Sequence, residues 1–563
     1  MSVTLNAWFL AVLCTSITLL YQLITGSDGV GSVLGFLALE ILFLALWVGY
    51  WIVLYPTYFT PLRHLPTPPK RKYLTGNKDI YFLDNPWTDF PNVVKSIPNN
   101  GLIRYYGAFS RELVLVTKPH ALREMLGVKA YDFGHSSLVK LAMKRFTGSN
   151  LGFISDEETK RHRKSLLPAF TTAHIRALVP LFWSKAEEMT ACFDDERATR
   201  GPDTVISLGE YGSRATLDGI GLAGMAYDFD TLHKPDNELR RRYKKMIMEP
   251  TRAFYWIELL SHHIDFRLLL KLPFKKNLEV VEASNYLRGV ARTVIEERKK
   301  ALLETKKRGN SDNVVGSVDG KDIITVALAS GSFQGEQLVD HVMTFLTAGH
   351  ESTATAFEWT MYELGRNPEI QQRLRSEIRR ALNSNESHND AGNPRWNPGT
   401  IVQDLPYLNA VLNEVLRHYP FIPLLVRVTQ KDTSLVGQPI PKGTPVLYSA
   451  MAVNHDEQVW GPDAHQFRPD RWLSSSPDSN HNHKHNPQQL GTMGNFSMLT
   501  FGAGSKSCIG HAFARAELAC LVAAVVRNFE IELVNADTAG RIKFGLTNKS
   551  AEGMLARLRP VSQ

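Results

Sequence analysis

The sequence contains few cysteines, and none of them lie at metal-binding spacing. Cys14, Cys192, Cys508 and Cys520 are spread over 563 residues and form no C-x-x-C pair. This usage argues against a disulfide scaffold or a zinc ribbon. It suits a reducing compartment, in which one special thiol can stay free.

Charge is almost absent from the start of the chain. Before Arg63 only Asp28 and Glu40 are charged, although the whole sequence has a net charge of +8. A basic balance is typical of proteins that meet nucleic acid, an anionic membrane or an acidic protein. No nucleic-acid fold signature and no long basic run with interleaved aromatics is found, so we expect a membrane and a protein partner, and no nucleic acid.

Two apolar segments precede this first basic residue. Val3–Ile24 carries no charge, and Val33–Tyr55 is apolar except for Glu40. Each is about 20 residues long, enough to cross a bilayer as a helix. A cleaved signal peptide is the alternative, but it usually begins with basic residues and is followed by no second long apolar segment. The sequence therefore predicts that residues 1–60 form a membrane anchor with one or two spans.

Residues 61–72 combine prolines with basic side chains. Prolines fix φ and remove hydrogen-bond donors, which predicts a stiff, non-helical hinge. The positive-inside rule places this flank in the cytoplasm. No second linker follows, so we expect one large domain over residues 73–563 that folds without the first 60 residues.

The remainder is predicted to be mainly α with small β-sheets. Apolar residues recur at helical spacing in Glu336–Arg366 and in Gly510–Asn528, whereas Leu113–Thr117 and Thr444–Ser449 have strand-like composition. Three polar insertions predict surface loops, namely Thr305–Lys321, Asn383–Gly399 and Leu473–Ser497. The histidines of the last one, His481, His483 and His485, favour a solvated loop over a metal site.

The most specific pattern is residues 501–510, FGAGSKSCIG, in which glycines surround Cys508 just before a predicted helix. Glycine allows close backbone approach, and a helix N-terminus stabilises a thiolate. A buried structural cysteine is the alternative. Yet F-x-x-G-x-x-x-C-x-G, followed by Ala514 and Glu517, closely resembles the haem-binding signature of the cytochrome P-450 family. The resemblance implies that fold, with haem b held by Cys508 and contacted by Phe501, Lys506 and Gly510.

Further motifs extend the resemblance over most of the chain after the anchor. Glu414 and Arg417 resemble the E-x-x-R pair of the family. Arg471 lies in a segment, residues 467–472, that resembles P-E-R-F with Asp470 in place of glutamate. In the family these three side chains form a buried structural triad. Each pair alone would be a weak signal, because an i,i+3 ion pair is common on helix surfaces.

Residues 348–353, AGHEST, resemble the oxygen-activation motif A-G-x-[DE]-T-[TS] of the family. The resemblance implies that Glu351, Ser352 and Thr353 are catalytic and relay protons. Ser352 stands where threonine is usual and lacks the methyl group that restricts the rotamer. The sequence leaves open whether Ser352 or Thr353 is the main hydroxyl.

The remaining site residues are also assigned by resemblance. Arg163 and Arg427 match arginines that pair with haem propionates, although the usual tryptophan or histidine is replaced by Thr159 and His162 is out of register. Lys506 retains a cation without the bidentate geometry of arginine. The predicted substrate pocket is apolar: Phe345, Ala348, Phe421, Ile422, Leu424 and Leu425.

The implied function is insertion of one oxygen atom from O2 into a hydrophobic small molecule. The sequence shows no flavin or nicotinamide domain, so the electrons are expected from NADPH–cytochrome P-450 reductase, at the endoplasmic reticulum membrane with the catalytic domain in the cytoplasm. Similarity to filamentous-fungal members suggests secondary metabolism. The alternatives are an oxygen-independent isomerase or peroxide-rearranging enzyme of the same fold, and a non-catalytic haem-binding membrane protein.

Overall fold

The structure, a computed structural model, describes most of the chain. The described residues are 30–69, 72–77, 94–149, 151–246, 275–307, 322–333, 335–386, 397–473, 496–543 and 547–561, with the single residues 15, 17 and 92. Almost all of the first predicted span, the histidines 481, 483 and 485 and most of the three polar insertions lie outside them.

Helices make up most of the described chain, which confirms the predicted fold class. In chain order the α-helices are α1 (Val30–Gly49), α2 (Pro119–Leu122), α3 (Ser137–Thr147), α4 (Asp156–Leu166), α5 (Thr172–Arg200), α6 (Leu208–Met225), α7 (Glu238–Met246), α8 (Lys275–Lys307), α9 (Ile323–Ala329), α10 (Glu336–Arg366), α11 (Pro368–Glu386), α12 (Pro398–Gln403), α13 (Pro406–His418), α14 (Ala450–Asn454), α15 (Glu457–Trp460), α16 (His511–Asn528) and α17 (Ala536–Ala539). Helix α10 is buried along most of its length in the largest apolar core, where it contacts α6, α8, α13 and α16.

The strands form small sheets, as expected. The largest has the order β1-β2-β8-β5-β3, in which only β2 and β8 are parallel. A second has the order β4-β12-β9, and β6-β7 and β10-β11 are two-stranded. The strands are β1 (Leu102–Tyr106), β2 (Glu112–Val116), β3 (Phe133–Gly134), β4 (Val205–Ser207), β5 (Leu424–Thr429), β6 (Thr433–Leu435), β7 (Gln438–Ile440), β8 (Pro445–Ser449), β9 (Phe529–Leu533), β10 (Ile542–Lys543), β11 (Lys549–Ser550) and β12 (Leu555–Pro560).

Local signals explain where the site helices begin and end. The Ser155 hydroxyl accepts a hydrogen bond from the Glu158 backbone N–H, and the Glu158 carboxylate accepts one from the Ser155 backbone N–H, so a capping box starts α4. Helix α10 has the predicted bounds and ends at Arg366, because Pro368 disfavours helical backbone at Asn367. Both helices therefore carry their site residues in a fixed register.

The N-terminal segment differs from the predicted hinge. Helix α1 continues as a wider π-type helix over Tyr50–Phe59, and the stretch Ala38–Phe59 is long and apolar enough to cross a membrane. Residues Pro61–His64 then form a turn of 3-10 helix, in which Leu62 is buried in the core beneath the five-stranded sheet. The non-helical hinge was thus wrong for this turn, since the proline at its first position is compatible with a helix N-terminus.

Candidate active site

The loop before α16 is shaped by close backbone contacts. Gly504 has a φ of +71°, and a Cβ built there would stand 2.1 Å from the carbonyl oxygen of Leu126. The backbone N–H of Cys508 donates to the carbonyl oxygen of Phe501 at 2.8 Å, which closes the loop. Only glycine fits both the left-handed backbone and the approach of Leu126.

Cys508 lies three residues before the start of α16, and its side chain is exposed. The surrounding protein nevertheless raises the pKa of the thiol by burial, while the backbone N–H of Gly510 and the Arg163 guanidinium act in the opposite direction. A Cβ at Gly510 would stand 4.0 Å from the Cys508 sulfur. By contrast, Cys520 is fully buried inside α16, and burial raises the pKa of its thiol strongly. Of the described cysteines, Cys508 is the one classed as exposed.

Several cationic side chains surround the same loop. Arg163, on α4, donates to the carbonyl oxygen of Ser507 at 2.9 Å. Lys506 forms an ion pair with Asp156 at 2.8 Å. Arg427, on β5, lies 3.1 Å from Nδ1 of His135, whose pKa is lowered to about 3 by burial and then by Arg427 and Lys506. His135 is therefore a neutral acceptor for Arg427, and no carboxylate of a described residue forms an ion pair with either arginine.

The hydroxyls of Ser352 and Thr353 have different surroundings. Ser352 is half-buried, and its Oγ donates to the carbonyl oxygen of Ala348 at 2.7 Å. Thr353 is buried, and its Oγ1 donates to the carbonyl oxygen of Gly349 at 3.3 Å. Both border a small cavity between α10 and the cysteine loop. Its lining is Ser352, Thr353, Ala356, Leu416, Phe421, Phe501, Ala514, Arg515 and Leu518.

Glu351 points to another part of the fold. Its carboxylate pairs with the Lys549 ammonium at 2.6 Å and lies 3.5 Å from the Thr547 hydroxyl. Burial alone would raise the pKa of this carboxyl, but Lys549 and then His350 outweigh it and the pKa is lowered. Because the Lys549 side chain is one-third exposed, the pair connects the buried centre of α10 with the surface.

Glu414, Arg417 and Arg471 meet in a fully buried ion-pair cluster. Arg417 donates to both carboxylate oxygens of Glu414, at 2.8 and 2.9 Å, and Arg471 donates to one of them at 2.9 Å. Trp472 completes the cluster with its indole N–H at 2.9 Å. Burial raises the pKa of Glu414, but the two arginines outweigh it and lower the pKa.

The residues predicted to line the substrate pocket are dispersed. Phe421 lines the cavity, whereas Phe345 packs in the main core 5.9 Å from the ring of Phe170. Leu424 and Leu425 lie on β5 and pack against the two cores on either side of the sheet. Ala348 and Ile422 are exposed.

Sequence reasoning missed partners that are distant along the chain. Nothing local marks Lys549 as the partner of Glu351, or His135 as the partner of Arg427. The out-of-register His162 is buried and lies 3.0 Å from a ring nitrogen of His341, while Thr159 donates to the carbonyl oxygen of Leu151 at 3.3 Å. An unmatched polar residue within an otherwise apolar helix face would have been the only available signal.

Comparisons with known proteins agree with this architecture. The family model of cytochrome P-450 matches residues 80–555. The chain is 46% identical over 571 residues to cytochrome P-450 monooxygenase FSL4 of Gibberella zeae, covering 99% of each chain. It is 39% identical over 521 residues to cytochrome P-450 monooxygenase sphH of Aspergillus fumigatus (91% of each chain) and 34% identical over 548 residues to cytochrome P-450 monooxygenase FUM15 of Gibberella moniliformis (91% of this chain, 90% of the relative).

The cysteine loop thus combines an exposed thiol near a helix N-terminus with the nearby cations Arg163, Lys506 and Arg427, and a cysteine thiolate is the iron ligand of haem-thiolate proteins. The chain belongs to the cytochrome P-450 family. Membership implies a haem iron with a cysteine thiolate, molecular oxygen, a small-molecule substrate and a redox partner.

The residues around Cys508 fit a haem. A thiol with a raised pKa becomes a thiolate at neutral pH when a metal cation adjoins it. Arg163 and Arg427 lack carboxylate partners among the described residues and match the charge of propionates. Gly510 leaves the side of the Cys508 sulfur free of a side chain.

Proposed function

We propose that this protein inserts one oxygen atom from O2 into a hydrophobic small molecule, and that Cys508 would supply the thiolate that holds haem b. The observation that carries the proposal is the cavity, because Ser352 of α10 and Phe501 of the cysteine loop line it together. Arg163, Arg427 and Lys506 would hold the propionates, and Phe501 and Gly510 would border the ring.

When bound, the haem supplies the redox chemistry, and its thiolate ligand favours cleavage of the O–O bond. The protein provides orientation and protons. Ser352 presents a hydroxyl to the cavity and can donate a proton from Oγ while accepting one from water. Glu351, kept ionised by Lys549, can transfer protons between that water and the exposed lysine.

Thr353 has a supporting role in this proposal. It borders the same cavity as Ser352, but it is buried and its hydroxyl donates to the carbonyl oxygen of Gly349, whereas Ser352 is only half-buried. The apolar lining from Phe421, Leu416 and Leu518 excludes bulk water from the hydroxyls. The cluster of Glu414, Arg417 and Arg471 is proposed to be structural, locking α13 to the segment that contains Arg471.

The partners follow from the same chemistry. The electrons would come from NADPH–cytochrome P-450 reductase, and the stretch Ala38–Phe59 would anchor residues 73–563 to the endoplasmic reticulum membrane, facing the cytoplasm. The similarity to monooxygenases of Gibberella and Aspergillus supports a substrate from fungal secondary metabolism.

The decisive experiment compares Cys508→Ala with Cys192→Ala in the full chain. We expect Cys508→Ala to lose the carbon monoxide band of a reduced haem-thiolate and all NADPH-dependent product, because no thiolate remains in the loop before α16. Cys192→Ala should retain both, since Cys192 is half-buried on α5, away from the loop.

A thiolate band in Cys508→Ala would refute the ligand assignment. Product from peroxide but none from O2 and NADPH would favour the oxygen-independent alternative, and a haem spectrum with no product from any substrate the non-catalytic one.

A further inference from the structure

An exposed apolar surface adjoins the end of the candidate membrane helix. Tyr58 and Phe59 are 61% and 63% exposed, Leu74 is 65% exposed and Phe109 is 41% exposed. The backbone N–H of Phe109 donates to the carbonyl oxygen of Leu74 at 2.9 Å, and the helix Tyr50–Phe59 packs against the turn Ala108–Ser110. These four side chains are called the junction patch below.

The turn that carries Phe109 holds it outward at a conformational cost. Phe109 has a φ of +54° in the β1–β2 connection, a region that bulky residues rarely occupy. Exposure of this ring to water provides no free energy that would offset the backbone strain. Transfer of the ring surface to an apolar medium would be favourable in free energy.

A buried ion pair fixes the patch to the membrane helix. Arg104 of β1 donates to Glu112 of β2 at 3.2 Å and to the carbonyl oxygen of Pro56 at 3.1 Å. Glu112 also accepts a hydrogen bond from the Thr60 hydroxyl at 2.7 Å. The side chains of Arg104 and Glu112 are only 9% and 12% exposed. A buried charge pair tolerates little rearrangement, because moving one partner leaves the other without compensation.

The chain immediately after the helix is fixed as well. Leu62 is 2% exposed, in the core beneath the five-stranded sheet, and the Gln438 amide donates to the carbonyl oxygen of Pro61 at 2.9 Å. No flexible stretch therefore separates Phe59 from the sheet. The orientation of the membrane helix relative to the five-stranded sheet is therefore fixed.

We propose that the Arg104–Glu112 pair makes the membrane helix a rigid bracket, which inserts the junction patch into the headgroup region of the bilayer. The proposal rests on the membrane anchor proposed above. The lipid surface is the favoured occupant because the patch is continuous with the candidate span and is rich in aromatic rings, which prefer the membrane interface. Exposed Arg63 and His64 follow directly, where anionic headgroups would meet them.

The test places a genetically encoded environment-sensitive fluorescent amino acid at Leu74 or at Leu303 of the full chain, reconstituted in phosphatidylcholine vesicles. Leu303, on α8, is a matched control, since it is 59% exposed against 65% for Leu74. We expect lipids with brominated chains to quench the probe at position 74 at least threefold more than the probe at 303. Aqueous iodide should show the reverse order.

The bracket itself is tested with Arg104→Met/Glu112→Met, which removes both charges and so leaves neither unpaired. Lipid quenching at position 74 should fall at least twofold, while flotation with the vesicles and the unfolding temperature of the domain stay close to wild type. Unchanged quenching in this variant would overturn the role of the pair.

The remaining outcomes separate the two proposals. A chain that does not float with vesicles overturns the anchor and this inference together. A chain that floats, yet shows equal lipid quenching at 74 and 303, overturns the inference alone. Protection of position 74 that disappears when the protein is diluted in excess lipid would assign the patch to a contact between copies of the chain, and would also overturn it.

Discussion

Ser352 and Thr353 are neighbours in sequence but not in chemistry. One residue along an α-helix turns the side chain by about 100°. Both residues therefore border the cavity from different directions: Ser352 is half-buried, whereas Thr353 is fully buried beside α16. The sequence left open which of the two hydroxyls relays protons. The direction in which each side chain points distinguishes them.

Replacing Ser352 with alanine should retain haem and substrate binding but reduce the product formed per NADPH consumed. The fold should not suffer, because alanine is the better helix former by about half a kcal/mol. Loss of a general acid typically lowers the rate by about 10²–10⁴-fold, and the reducing equivalents then appear as hydrogen peroxide. Product, NADPH and peroxide are measured together.

Thr353→Ala is the matched control, and it should change this ratio much less. A collapse in Thr353→Ala with unchanged Ser352→Ala would mean that the motif is one residue out of register. Unchanged ratios in both variants would argue against a hydroxyl relay.

Glu358 is a buried carboxyl whose contribution to the free energy of unfolding depends on pH. Burial raises its pKa to about 7, against the opposing effects of Lys549 and the Ser550 backbone. A carboxyl whose pKa is raised by folding stabilises the fold most below its unfolded pKa of 4.5, and this contribution is lost as the pH rises through 7. Glu358→Gln keeps the neutral shape and removes the titration.

The free energy of unfolding of wild type relative to Glu358→Gln should therefore fall by on the order of 2 kcal/mol between pH 5 and pH 8. Unfolding temperatures of the two proteins across that range give the difference. A constant gap would show that Glu358 does not titrate there.

At the scale of elements, the cysteine loop depends on glycine for two separable reasons. Gly502 and Gly504 both have positive φ, at +68° and +71°. A Cβ at Gly504 would also collide with the carbonyl oxygen of Leu126, whereas the nearest atom to one at Gly502 is 3.8 Å away.

Gly504→Ala should therefore lower the haem content of purified protein far more than Gly502→Ala does. Gly502→Ala adds backbone strain of about 1–2 kcal/mol, and Gly504→Ala adds the same strain plus displacement of the loop. The haem-to-protein absorbance ratio measures the difference. Equal losses of haem from the two variants would show that the left-handed backbone conformation alone determines the shape of the loop.

At the scale of the whole molecule, the membrane segment and the catalytic domain share contacts. Pro56 and Thr60 are buried, and both bond to the Arg104–Glu112 pair. The expectation that the domain loses no core element when residues 1–60 are removed therefore needs revision, because the last residues of that segment are part of the junction.

Removing residues 1–60 should yield a less stable domain than removing residues 1–49, which leaves Pro56 and Thr60 in place. Loss of partners for buried charged groups typically costs about 1–3 kcal/mol. Unfolding temperatures of the two truncated proteins in the same detergent give the comparison. Identical values would show that the junction contacts contribute nothing to the stability of the domain.

Much of this protein is determined by local sequence. Helix α10 has the predicted bounds, Glu336 to Arg366, because apolar periodicity and a following proline act on adjacent residues. The family was identifiable from residues 501–510, since a glycine-bounded cysteine before a helix is a pattern of neighbours. The buried cluster of Glu414 and Arg417 was anticipated by the resemblance to the family, because the i,i+3 spacing alone is common on helix surfaces.

Only the tertiary structure decided which distant groups meet. Lys549 reaches Glu351 from a C-terminal hairpin, and Arg104 reaches Pro56 from the first sheet. Leu424 and Leu425, which were predicted to line the pocket, pack against different cores, because alternate side chains of a strand point to opposite faces. Such pairings depend on how helices and sheets pack across the core, and no periodicity within a single segment encodes them.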